Sequence, residues 1–129
     1  MSGLLLDTHI LLWYFQDHPN LKRETIEQLE NPANALYISL ISLWEIAIKI
    51  NIGKLNLGCS FPELFGLLER FDIEILPLTV PDIEFYINLP LHHRDPFDRI
   101  LIAQAINHSL TLISYDAIFN VYSFAKPSE

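Results

Sequence analysis

Cysteine is all but missing: Cys59 is the only one in the 129-residue chain. That excludes an internal disulfide and suits a reducing cytosol. Cys59 lies in a Leu-Gly-Cys-Ser-Phe loop with no partner signal nearby, so a catalytic Cys–His pair has no support. Glycine is scarce as well, at four residues, and neither a P-loop nor a G-x-G-x-x-G fingerprint is present. Nucleotide-cofactor binding through those loops is therefore unsupported. No apolar run approaches the roughly 18 residues that span a bilayer, since serines interrupt the longest, around Leu36 to Trp44. A basic segment before the first apolar run is lacking, and Asp7 cuts that run short, so no signal peptide is expected. A cytoplasmic protein with no membrane association is the expectation. Positive charge is sparse too: Lys22, Arg23, Lys49, Lys54, Arg70, Arg94, Arg99 and Lys126 form no run. Against them stand sixteen acids, giving a net charge of −8. Loose binding to nucleic acid, which draws on Lys and Arg to displace counterions, is disfavoured.

What the chain does have is apolar: half of its residues are hydrophobic and only 19% are charged. It is globular, and residues 1–129 suffice for one domain with a real core. Gly3 to Leu6 reads as a short buried strand and Ile10 to Phe15 as an apolar helical segment. Lys22 to Glu30 is an amphipathic helix with Ile26 and Leu29 inward, broken by Asn31-Pro32-Ala33-Asn34. Leu36 to Ile38 is a second strand, after which Ser39 can cap a helix from Leu40 to about Asn51, stopped at Gly53. Ser60 and Glu63 form a capping box for a helix to Phe71. Ile73 to Leu76 is a third strand, Pro81 to Leu89 a helix, Pro96 to His108 a long buried helix, and Leu110 to Ser114 a fourth strand. A fifth strand is expected at Val121 to Phe124. Short apolar strands alternating with helices indicate a parallel sheet covered on both faces, a three-layer α/β/α sandwich. Ligands of such sheets bind outside the carboxyl ends of the strands, so polar residues just after strands are the candidates.

Asp7 and Asp116 meet that description, Glu45 on the helix after the second strand and Asp98 at the start of the buried helix join them, and each has a plain local explanation. Asp7 directly follows Leu4-Leu5-Leu6 and is a favoured helix cap. Glu45 shares a narrow polar stripe with Ser42 and Lys49 on an otherwise apolar helix, where a Glu45–Lys49 pair is worth roughly 0.3–0.5 kcal/mol. In His92-His93-Arg94-Asp95-Pro96-Phe97-Asp98, Asp95 caps the helix, Pro96 takes its first position and Asp98 favours its dipole. Asp116 follows the fourth strand as a cap or turn residue. Local capping does not explain why all four can face one edge of a parallel sheet. Two carboxylates about 4 Å apart repel by ~4 kcal/mol at an effective dielectric near 20. Such a cluster needs a cation or protons. Carboxylate oxygens without thiolate suit Mg²⁺ or Mn²⁺, and an ion so held promotes in-line phosphoryl displacement. The implied reaction is metal-assisted phosphodiester hydrolysis. His92 and His93 are adjacent and point apart on any regular element, so joint metal ligation is not expected.

The series LLLDTHILLW, SLWEIAIK, HRDPFDRILIAQA and LTLISYD, in that order and across essentially the whole chain, resembles the PIN-domain family. It is most similar to the VapC-type ribonuclease toxins of type II toxin–antitoxin pairs. The resemblance implies a Rossmann-like parallel sheet sandwiched by helices and a Mg²⁺- or Mn²⁺-dependent endoribonuclease acting on RNA. It further implies a homodimer held by a cognate antitoxin. Asp7, Glu45 and Asp98 match the family's three core acids and Asp116 the more variable fourth, as catalytic and metal-holding residues. Asp95 matches no core ligand and stays the helix cap. Thr8 and Ser114 can supply hydroxyls that orient ligands or water, and Lys49 or Arg99 can touch a phosphate or balance local charge. Trp13-Tyr14-Phe15 suits the core, or a dimer or antitoxin surface. Two other functions compete. One is a noncatalytic binding module of the same fold, which would be expected to have lost acids that this chain retains. The other is a structure-specific DNA nuclease, which needs helical arches and basic segments that 129 residues do not accommodate.

Overall fold

The computed structural model describes residues 2–90 and 95–116. Four strands, β1 (Ser2–Leu6), β2 (Asn34–Ser39), β3 (Ile73–Leu76) and β4 (Thr111–Ile113), form one sheet in the order β3-β2-β1-β4. Every pairing is parallel: Leu6 lies opposite Ile38 and Ile113, and Ser39 opposite Leu76. Among the described residues six helices accompany them: α1 (Thr8–Gln16), α2 (Arg23–Glu30), α3 (Leu40–Asn51), α4 (Phe61–Arg70), α5 (Val80–Ile87) and α6 (Pro96–Asn107).

Side chains alternate across a strand, and β1 divides the core accordingly. Leu4 and Leu6 face a cluster built with Ile10 and Leu11 of α1, Leu29 of α2, Leu43 and Ile46 of α3, and Leu64 and Leu68 of α4. Leu5 and Leu112 face the other way, onto Leu101, Ile102 and Ala105 of α6. Fully covered strands need apolar residues at every position, which is why the leucine run of β1 contains no polar residue. Helix ends are fixed locally. Ser39 accepts a hydrogen bond from Ile41 N, Ser60 and Glu63 form the expected capping box, and Gly53 takes φ 74° past the end of α3, where a side chain would be strained.

Several boundaries differ from the sequence reading. β2 starts two residues earlier, at Asn34, because Ser2 and Gly3 of β1 pair with Asn34 and Ala35 whatever their side chains. β4 is shorter than expected, and Ser114 emerges from it with its side chain turned toward β1. α5 begins at Val80 because Thr79 caps it, with Asp82 completing the box. In α2 the buried pair is Thr25 and Leu29, while Ile26 is only partly covered. Trp13, Tyr14 and Phe15 pack half-buried against the core. The fifth strand at Val121 to Phe124, and His92, His93 and Arg94, lie outside the described residues.

Candidate active site

From β1 the chain steps outward through β2 to β3, then returns to place β4 on the far side of β1. The strand order therefore reverses between β1 and β4, and the crevice at their carboxyl ends is where such sheets hold ligands. Asp7 follows β1 and Ser114 follows β4, so both lie at that crevice.

The Asp7 backbone N–H donates to Ile113 O at 3.0 Å, locking the strand end to β4. Its side chain does not cap α1 in the usual way, which would engage the second or third helical N–H. Instead Oδ1 accepts from the N–H of the adjacent Thr8 at 2.8 Å, and Oδ2 accepts from the Ser114 hydroxyl at 2.9 Å. Burial raises the Asp7 pKa above the ordinary carboxyl value. The Ser114 hydrogen bond and the charge of His9 oppose that rise, and the negative charge of Asp98 adds to it. Asp98 sits half-buried in the first turn of α6.

Glu45 joins through Thr8, whose buried hydroxyl donates to Oε1 at 2.9 Å. The other oxygen, Oε2, lies 3.4 Å from Lys49 Nζ. The helical stripe read from the sequence thus exists, but only one of the Glu45 oxygens belongs to it. Ser42, one turn earlier, is 1% exposed, and its Oγ is the only buried side-chain polar atom without a hydrogen-bond partner among the described residues. Ser114 is fully buried and also accepts from the Asp116 backbone N–H at 3.0 Å, which anchors the fourth acid beside the first. One line of hydrogen bonds, begun by the Lys49–Glu45 ion pair, therefore runs Lys49–Glu45–Thr8–Asp7–Ser114 and reaches Asp116 through its backbone N–H.

Asp95 behaves as read: its Oδ1 accepts from the N–H groups of Phe97 and Asp98, at 2.9 and 3.3 Å. Arg99 turns its guanidinium toward the end of α5. It is 5% exposed, donates to Pro90 O at 3.0 Å and Tyr86 O at 3.4 Å, and lies 4.8 Å from the centre of the Tyr86 ring. Its work is to tie α6 to α5.

Two features escaped the sequence reading. Asp82, wholly buried, accepts hydrogen bonds from Thr79 N, Gln104 Nε2 and Asn107 Nδ2 and meets His108 Nε2 at 3.0 Å. Burial alone would raise its pKa, but the bonds from Asn107, Thr79 and Gln104 outweigh burial and lower it. The Thr79-Val-Pro-Asp82 capping pattern was a legible signal for it. Tyr115 is the second: its hydroxyl bonds with the Thr25 hydroxyl and accepts from Lys22 N. No pattern in the sequence pairs Tyr115 with a helix some ninety positions away.

The donors suit a hard divalent ion: carboxylates and hydroxyls, an Asp7 whose burial and acidic neighbour favour an added positive charge, and an orphaned hydroxyl beside Glu45. Among the described residues, however, no three His, Cys, Asp or Glu side chains form a closed metal group. Thr8 and Ser114 stand between the acids.

The PIN domain profile matches residues 4–125. Ribonuclease VapC22 of Mycobacterium tuberculosis is 25% identical over 129 residues, covering 98% of this chain and 97% of that protein. Among solved structures, VapBC-1 of nontypeable Haemophilus influenzae superposes with a TM-score of 0.72 at 20% identity, over 99% of this chain and 98% of that one. VapBC2 of Rickettsia felis, bound to a promoter DNA fragment, gives 0.71 at 19% over 98% of each chain. A toxin–antitoxin complex of Klebsiella pneumoniae gives 0.64 at 25%, again over 98% of each.

Proposed function

The chain belongs to the PIN domain family, and on that premise we propose that it is a metal-dependent endoribonuclease, the cytoplasmic toxin of a toxin–antitoxin pair. The observation that carries the reading is the line of carboxylates and hydroxyls at the β1–β4 crevice, with Thr8 bonded to Glu45 and Ser114 to Asp7. Asp7, Glu45, Asp98 and Asp116 would hold Mg²⁺ or Mn²⁺. Once bound, the ion supplies positive charge and an acidified water for phosphodiester hydrolysis. The protein's own part is orientation. Ser114 holds Oδ2 of Asp7, Thr8 holds Oε1 of Glu45, and Lys49 offsets part of the negative charge. RNA is the substrate class because the similar curated protein is a ribonuclease.

The partner reading rests on the solved complexes, two of which are VapBC pairs. A cognate antitoxin and a second copy of the chain both need apolar surface. The groove lined by Ile41, Trp44, Ile83, Tyr86, Phe97 and Ile100 provides it, with Trp44 58% exposed.

Titrating Mn²⁺ into the wild-type chain and the Asp7→Asn and Asp98→Asn variants tests the metal site. Affinity should fall in both variants, and unchanged affinity would contradict the assignment. Expression in a bacterial host should arrest growth, and Asp7→Ala should relieve the arrest. Arrest that persists in the variant would reject the toxin reading.

A further inference from the structure

Asp7 and Asp116 line more than the acid crevice. They also form one wall of a cleft of about 280 Å³ completed by His9, Ile10, Trp13 and Tyr115. Three aromatic rings meet there: the His9 and Tyr115 rings each lie 6.0 Å from Trp13, tilted by 43°. His18 stacks on Trp13 at 5.3 Å with ring planes 20° apart, which fixes the indole. Tyr115 is fixed from its other end, its hydroxyl engaged by Thr25 and by Lys22 N, and the Lys22 ammonium sits 5.2 Å from its ring centre. The Trp13 and Tyr115 rings are therefore set in place before any ligand arrives.

We infer that this cleft is a base subsite: one unpaired nucleobase of a single-stranded RNA stacks among His9, Trp13 and Tyr115 while the neighbouring phosphate lies at the acids. The inference rests on the nuclease reading above and specifies how that site takes its substrate. Continuity is the first argument, because the same two aspartates border both spaces, so a strand whose phosphate reaches them carries its next base into the aromatic walls. Charge is the second. A chain of net charge −8 with no basic run draws little affinity from phosphate contacts, whereas stacking on aromatic rings is indifferent to net charge. Size is the third, since the cleft falls just below the ~300–1,000 Å³ of pockets that enclose whole small molecules and suits one planar ring. A base paired in a duplex has its faces covered by its neighbours, so the subsite selects single strands or looped-out bases.

Trp13 reports on the cleft directly once Trp44, the other tryptophan, is replaced. In a Trp44→Phe, Asp98→Asn background, chosen so that RNA is not cut, penta-adenylate and penta-uridylate should quench Trp13 emission. A ribose-phosphate pentamer lacking bases should bind about tenfold or more weakly. In the cleaving protein, Trp13→Leu and His9→Ala should each raise KM by about tenfold, with a much smaller change in kcat. His9 is exposed, so its replacement leaves the core intact if Trp13→Leu disturbs folding. Equal quenching by the abasic strand, or no quenching by any strand, overturns the inference and leaves the cleft to a protein partner. RNA cleavage with unchanged KM in both variants overturns the subsite but spares the nuclease reading. Base-dependent quenching by a chain that cuts no RNA supports the subsite and overturns the nuclease reading.

Discussion

Asp7 and Asp95 each stand one residue before a helix, yet their carboxylates are used differently. Asp95 accepts from the second and third helical N–H groups, as a cap does. Asp7 accepts from the first, and spends its other oxygen on Ser114 across the sheet. Asp95→Ala should therefore lower stability by about 1 kcal/mol, read by urea denaturation. Asp7→Asn should act in the opposite direction in metal-free buffer. A carboxyl whose folded pKa is raised is a liability once ionised: the folded state loses stability as pH climbs from the unfolded value through the raised one. At neutral pH the Asn variant should melt higher than the wild type in EDTA, and a lower Tm would contradict that account. Ser114→Ala leaves all four acids in place but frees Asp7 to turn, so RNA cleavage should fall by about 10–100-fold with the fold unchanged.

At the scale of elements, α5 and α6 are joined by Asp82 and Arg99, two buried charges that serve the scaffold. Asp82→Ala would strand the donors of Gln104 and Asn107 and should destabilise by about 3 kcal/mol. Because hydrogen bonds hold the Asp82 pKa below its unfolded value, its contribution is present above that unfolded value, near pH 4. It disappears as pH falls through the folded one. Acid denaturation of Asp82→Ala should accordingly show a shallower loss of stability in that range. Arg99→Lys, which keeps the charge but not the fork of donors, should lower Tm without a selective loss of RNA affinity. The elements themselves were largely legible. Apolar runs marked the strands, and Ser39, the Ser60–Glu63 box, Asp95 and Gly53 marked helix ends, because caps and turns are local chemistry. The direction of the Arg99 side chain was not legible, since a helical position near a site can face either the crevice or the neighbouring helix.

For the molecule as a whole, the strand order was beyond the sequence, because nothing in a run such as Thr111-Leu112-Ile113 says that it lies beside β1 and not beside β3. The positions of Asp7 and Asp116 were legible nonetheless: once the sheet is parallel, its carboxyl edge collects whatever follows each strand. What remained hidden was their linkage. Thr8 reaches Glu45 across 37 positions and Ser114 reaches Asp7 across 107, and neither hydroxyl differs in sequence from an ordinary cap or turn residue. The acidic balance of the molecule carries its own prediction. RNA affinity should fall only shallowly with salt, the logarithmic slope corresponding to about two phosphate contacts or fewer, whereas a basic groove would give a steep one.

The central claim is that the acids at the β1–β4 crevice cut RNA with the help of a divalent ion. Cleavage of an end-labelled single-stranded RNA tests it most directly, with the wild-type and Asp98→Asn proteins compared in EDTA and in rising Mg²⁺ or Mn²⁺. Internal cuts that appear only with the divalent ion, and that Asp98→Asn abolishes, are the predicted result. Cleavage that persists in EDTA or survives in Asp98→Asn, or intact RNA under every condition, would contradict it.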